Sequence, residues 1–358
     1  MLVYLSVSIA LLLLGLAYES INSITKVRYN KVIPVATFTI PSFILLFVIS
    51  AFRGDFTTDY KNYTVLFDLY NRYSFSELLT AGFQNEIGYI YLNKIIGLFT
   101  TDALYFFLIT TFVILFGFFH HFKKYSVNLW LSVLMFVTVG SYYASFNITR
   151  NIFAVAIVFI GSRYLYERKF FKWVLVVLLA ALFHKTAIIM IPFYFILNFR
   201  IKLKNWVIIV IGSAIVILFF DNIVDFAQQY FYEQYTDDSY GMWGQAVTNI
   251  VLPVAFLIFS LFNINKLDPE NNIHRIWFNA GIFYAFFNIL ALQVAMVERL
   301  GRFFAPYSLL LIPFIFSKMQ NKHLRFVYSM VLIFLLILYN YVILSESVFD
   351  PYYFIWEK

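Results

Sequence analysis

The sequence predicts an all-α polytopic membrane protein, one integral membrane domain over residues 1–358, with about 11–12 transmembrane or half-membrane helices. Three observations carry this prediction. The chain is 62 % hydrophobic, 22 % aromatic and only 13 % charged. Its mean hydropathy is +0.79, more apolar than a soluble domain of this length can bury. Many apolar runs approach the roughly 20 residues that cross about 30 Å of hydrocarbon. These runs are separated by charged clusters, whereas a barrel shows alternating stretches of about 10 residues.

The elements follow in order. Residues 2–18 read as a first span; they lack a basic leader and a small-residue cleavage site, so a removed signal peptide is not expected. A second span covers 33–52. A long external segment, 53–101, carries amphipathic pieces, among them NEIGYIYLNKIIGLF at 85–99. Spans follow at 102–119, 128–146 and 149–166. Beyond 173–199 come 205–220, an acidic, Tyr-rich external segment at 221–246, and spans at 247–264, 276–296, 303–317 and 326–345.

The run 173–199 is apolar except for His184, Lys185 and Thr186. Basic clusters flank it on both sides, at Arg163/Arg168/Lys169/Lys172 and Arg200/Lys202/Lys204. A single crossing would put them on opposite faces and divide the 26 Lys and Arg almost evenly. A hairpin that dips in and returns puts most of them on the cytoplasmic side, as the positive-inside bias prefers. Most of the 19 acids then fall outside, with both termini. The run is therefore read as a short helical hairpin with its apex at His184–Thr186. Polar backbone at such depth is tolerated only against protein or a water-filled cavity, and ionisable groups there are functional candidates. The alternative is a snorkelling Lys185 beside a His184 bonded to a neighbouring helix.

Composition excludes several chemistries. There is no cysteine, hence no disulfide, thiolate or Cys-ligated zinc. The five His are scattered without a metal-ligand spacing, so no metal is expected. Neither GxxxxGK[ST] nor GxGxxG occurs, and no cofactor is expected. The net charge of +7 reads as cytoplasmic-loop lysine and arginine beside membrane lipids, with no nucleic-acid partner.

What remains is external. Arg53 ends the second span, with Asp55 and Asp59 close behind. Arg150, Arg299 and Arg302 stand where two helices enter from the same side. Their surroundings, ITRNIFAVAIVF and VERLGRFFAPYS, are similar enough to suggest a faint internal repeat. Outside arginines at helix ends run against the positive-inside trend. Guanidinium binds phosphate in a bidentate fork and keeps its charge near hydrocarbon. An anion at the outer leaflet is the inferred partner, a lipid pyrophosphate fitting well; interfacial anchoring is the alternative. Glu86 opens the 85–99 helix, where an acid also favours the helix dipole.

These residues resemble the Wzy-type polysaccharide polymerases of the EpsG-like branch. The matching pieces are Arg53 with Asp59-Tyr60-x-x-Tyr63, Glu86-x-Gly88-Tyr89, and Arg150-x-x-x-Ala154. They continue with Ala180-x-x-x-His184-x-Thr186-Ala187 and Arg299-x-x-x-Phe303-Phe304 before Pro313. Thr57-Thr58 stands where the family often has Gly-Thr, and Phe303 where Tyr is frequent. The resemblance implies a metal-independent glycosyltransferase of the bacterial cytoplasmic membrane, working at its outer face. It would transfer a growing glycan from undecaprenyl pyrophosphate to a new lipid-linked repeat unit. The product would be O-antigen (lipopolysaccharide), capsule or exopolysaccharide, with a chain-length regulator as a further partner. Arg53, Arg150, Arg299 and Arg302 would bind pyrophosphate, and Tyr60, Tyr63 and Lys185 the sugars. His184, Asp59 and Glu86 are the candidates for a general base, which the sequence does not choose between; His184 could equally bond phosphate. An O-antigen ligase-like enzyme, a flippase or transporter of the lipid-linked unit, and a membrane acyltransferase are the rival readings.

Overall fold

A computed structural model of the chain describes residues 1–29, 32–200, 243–292, 294–345 and 351–357. The expected span at 205–220 lies outside these, as does most of the 221–246 segment. The described elements are helical, apart from one isolated bridge.

Helix α1 (Leu2–Tyr29) outruns the predicted first span, and α2 (Ala36–Ala51) matches the second. The 53–101 segment folds into α3 (Thr58–Asn71), α4 (Phe75–Thr80) and α5 (Ile87–Gly97). Then come α6 (Leu104–Tyr125), α7 (Leu129–Thr138), α8 (Ser141–Asn147) and α9 (Thr149–Tyr166). Next are α10 (Phe170–Ala181), a 3₁₀ turn (Lys185–Ile189) and α11 (Met190–Asn198). The remainder is α12 (Trp243–Phe262), α13 (Asn272–Leu290), the short α14 (Glu298–Gly301), α15 (Ala305–Ser317) and α16 (Lys322–Ser345).

Among the described residues, three helices are long and apolar enough to cross a membrane, or up to four if α7 and α8 count as one bent span. The other apolar helices that could contribute, such as α2, α10 and α15, run 10–17 residues. The expected 128–146 span is broken. Gly140 adopts φ +84, a left-handed conformation that suits a residue without Cβ. The chain bends by 45° there, which brings the end of α8 and the start of α9 to the site described below.

Apolar residues all round a helix suit a buried core and a lipid-facing helix equally. Packing separates the two. Every residue of α7 from Trp130 to Thr138 and of α15 from Ala305 to Phe316 is buried. The apolar windows of α1 and α16 are only 28 % and 22 % buried, so these helices lie at the periphery. Helices α3 and α5 build a second, smaller core with the start of α6, in which Tyr63, Tyr70 and Tyr89 pack against Phe106 and Phe67.

The chain reverses between α10 and α11. Phe170 at the foot of α10 meets the rings of Tyr194 and Phe195 at 5.0 and 5.1 Å, and Trp173 Nε1 donates to the Met190 carbonyl at 2.8 Å. His184 stands at the turn. The feet of this pair share an end with the basic residues. There Arg275 donates to the Asn198 carbonyl and Arg168 to Asn272, while Arg200 pairs with Glu270. At the site end, residues 351–357 run back along the end of α2. Gly54 N–H donates to the Tyr353 carbonyl at 2.8 Å and Ile355 N–H to the Phe52 carbonyl at 3.1 Å. Tyr353 Oη donates to Asp55 at 2.5 Å.

Candidate active site

The α10–α11 turn is fastened to the start of α5. The Leu182 carbonyl, left without a partner where α10 ends, accepts from Gly88 N–H at 2.8 Å and Tyr89 N–H at 3.3 Å. These are the free N–H groups of a first helical turn, so two helix ends satisfy each other. Gly88 makes the approach possible, because a Cβ there would sit 2.7 Å from the Leu182 carbonyl oxygen. Gly88→Ala is accordingly expected to push the turn off α5, at a cost of about 1–3 kcal/mol. The variant should insert normally and lose thermal stability, measured as a lower melting temperature of the purified protein.

Glu86 occupies the N-cap position of α5 but caps nothing with its side chain. Its carboxylate reaches outward. Oε1 lies 3.2 Å from His184 Nδ1 and accepts from Lys185 N–H at 3.2 Å. Oε2 pairs with Arg150 Nη1 at 2.7 Å, and Nη1 also donates to Asn85 Oδ1 at 2.7 Å. Burial pushes the Glu86 carboxyl up, but the His184 hydrogen bond and the Arg150 charge outweigh it and hold it at about 2. Glu86 is therefore a fixed anion. An ionised carboxylate only accepts, so Nδ1 carries a proton; in the neutral ring Nε2 then keeps its lone pair. That Nε2 is buried and has no hydrogen-bond partner among the described residues.

Arg150 opens α9 and packs over the Tyr89 ring at 5.0 Å. Its backbone N–H reaches Tyr63 Oη at 3.5 Å. Asp59 lies in the first turn of α3, held by its N–H to Asn147 Oδ1 at 3.3 Å. Burial raises the Asp59 carboxyl above the usual range, against the opposing charges of Arg299 and Arg150. Two carboxylates of one site are thus driven apart, Glu86 down and Asp59 up.

A cleft of about 390 Å³ unites these groups. Asp59, Tyr63, Arg150, His184 and Arg299 line it, together with Asn62, Asn85 and Asn151. Of the residues picked out from sequence, the fold therefore gathers Asp59, Tyr63, Glu86, Arg150, His184 and Arg299. It does not bring the others to the cleft. Arg53 is 1 % exposed; its guanidinium donates to the carbonyls of Ser50 and Phe146 and lies between the rings of Phe107 and Phe146 at 4.8 and 5.0 Å. It ties α2 to α6 and α8, enclosed where a phosphate has no entry. Tyr60 stacks on Phe107 at 4.1 Å. Lys185 contributes its backbone N–H, with its side chain exposed. Arg302 turns to Glu298, one helical turn back. Such a partly exposed i,i+4 pair contributes about 0.3–0.5 kcal/mol. Arg302→Ala should therefore change the stability of the protein by no more than about 0.5 kcal/mol, measured by thermal unfolding.

Sequence reasoning passed over Asn62, Asn85, Asn147 and Asn151. Charge stands out in a string, whereas an uncharged amide in or beside a helix gives only the signal of being polar. Among the described residues, no three His, Asp or Glu side chains converge in a way that would hold a metal ion.

Residues 36–355, nearly the whole chain, match the sequence profile described as the EpsG family. No curated protein and no solved structure matches the chain.

Proposed function

Since the chain belongs to the EpsG family, we propose that it is a polysaccharide polymerase moving a glycan from undecaprenyl pyrophosphate onto a second lipid-linked repeat unit. The observation that carries this reading is the cleft in which the Glu86–His184 pair shares a wall with Arg150 and Arg299. His184 supplies a base, and Arg150 and Arg299 supply cationic charge. The acceptor hydroxyl gives its proton to His184 Nε2 as its oxygen bonds to the anomeric carbon. The anomeric carbon–oxygen bond breaks, and the pyrophosphate departs with the electron pair. Arg150 and Arg299 stabilise the charge it gains, the role a divalent cation has in many nucleotide-sugar enzymes. Glu86 orients the imidazole and stabilises it once protonated. Asp59, raised by burial, lines the same cleft and in this reading bonds a sugar hydroxyl.

The sidedness of the chain supports the same reading. The feet of the α10–α11 pair join the basic end, while its turn joins the cleft. With the basic end cytoplasmic, the cleft opens at the outer face of the inner membrane, where lipid-linked units are presented.

Deleting the gene and resolving the glycans on a gel tests the proposal. Loss of a polymerase leaves lipid carrying a single repeat unit, and restoring the gene restores the ladder. Polymer retained on undecaprenyl pyrophosphate would instead mark a ligase. An absence of repeat units from the outer face would mark a flippase.

A further inference from the structure

Asn151 holds a second orphan acceptor in the same cleft. It is 1 % exposed and follows Arg150 in α9. Its Nδ2 donates to the Arg299 carbonyl at 3.4 Å and to Thr186 Oγ1 at 3.5 Å. A carbonyl only accepts, so the Arg299 contact fixes which way the amide points. Oδ1 is left buried and without a hydrogen-bond partner among the described residues. Leaving a buried acceptor unpaired costs stability, and such an atom in the wall of a functional cleft asks for a donor from the occupant. Other orphan acceptors, such as Asn93 Oδ1 and Asn340 Oδ1, belong to residues that do not line the cleft.

The position of Asn151 names that donor. The residue is covalently next to Arg150 and bonded to the backbone of Arg299, the pair assigned to pyrophosphate, and its other bond leads to the turn that carries His184. Its amide thus lines the cleft in contact with both the backbone of a cationic residue and the turn that carries the base, and a sugar held by these groups would have its anomeric end toward it. The hydrogen-bond-donating substituent nearest an anomeric carbon is the one on carbon 2. We propose that Asn151 Oδ1 accepts a hydrogen bond from the carbon-2 substituent, hydroxyl or acetamido N–H, of the sugar attached to pyrophosphate, and so determines which first sugar the enzyme transfers. This rests on the polymerase reading of the cleft. A hydrogen bond at that place gains strength as positive charge develops on the ring, as it does in glycoside hydrolysis.

The test is a binding competition on purified full-length protein, using radiolabelled lipid-linked repeat unit extracted from the deletion strain. The competitors are short-prenyl pyrophosphates of gluco and galacto sugars bearing 2-hydroxyl, 2-acetamido or 2-deoxy groups. In the wild type, the 2-deoxy compound should compete about tenfold more weakly than its best counterpart. That counterpart identifies the group as hydroxyl or acetamido. Asn151→Ala should erase the difference, and Asn151→Ser carries the test if the alanine variant does not insert. Thr186→Val, which leaves Oδ1 in place, should keep the wild-type order. The proposal is overturned if the wild type binds the 2-deoxy compound equally well, if the Asn151 variants keep the discrimination, or if Thr186→Val loses it too. Failure of the polymerase reading would show separately, as lipid-linked units bound but never joined.

Discussion

His184→Ala, in protein that inserts normally, is expected to lower kcat by about 10²–10⁴-fold with little change in KM for the lipid-linked substrate. In the proposed mechanism the loss is confined to kcat, because Nε2 would take its proton as the bond forms while ground-state binding would rest on other groups. His184→Gln should be no better, since an amide cannot take up a proton near neutral pH. Glu86 acts through His184 and is a positioning residue. Glu86→Gln keeps the shape of the side chain but removes the anion that fixes Nδ1–H. It should lower kcat less than His184→Ala and shift the acid limb of the pH–rate profile to lower pH. The direction follows from the charge: without Glu86 the imidazolium loses its partner, its pKa falls, and the neutral base persists to lower pH. A rate insensitive to substitution at 184 would remove the base from the mechanism. A kcat loss in Glu86→Gln with an unmoved profile would reduce Glu86 to scaffolding.

Arg299→Ala is expected to lower kcat/KM by about 10²–10³-fold, the usual effect of removing one preorganised donor from a charge that develops in the transition state. Arg299→Lys should recover only part of this, because an ammonium group cannot grip two phosphate oxygens with one planar fork. Arg150 makes a useful contrast. It holds the Glu86 carboxylate as well as facing the cleft, so Arg150→Ala removes a substrate contact and leaves a buried anion unpaired. The two effects separate in a cycle with Glu86→Gln. Arg150→Ala should cost less in that background, whereas Arg299→Ala should cost the same in both. Steady-state kinetics on purified lipid-linked units measures each corner. Normal long chains from an inserted Arg299→Ala protein would end the proposed role of the cationic wall.

The residues differ in how legible they were. Charge in or beside an apolar run can be read from a string: His184 interrupts one, and Arg150 and Arg299 stand at helix ends. Glu86 was found but read first as an acid at a helix start. Its carboxylate instead bridges α9 and the α10–α11 turn, partners separated from it by 64 to 99 residues. Arg53 and Arg302 looked like Arg150 in the string, since each is an arginine at a helix end. What differs is the surroundings: aromatic rings and carbonyls enclose Arg53, and Glu298 takes Arg302.

By itself, the sequence determined that this chain is helical and lives with lipid. The hydrophobic effect and the cost of charge in hydrocarbon are properties of composition and order, and they act on any arrangement of the helices. Only the tertiary structure decided which cations share a cleft, which apolar helices are core, and which amides keep an unpaired oxygen. Those outcomes depend on contacts a few ångströms long between residues far apart in the chain, and apolar periodicity carries no record of which helix faces which.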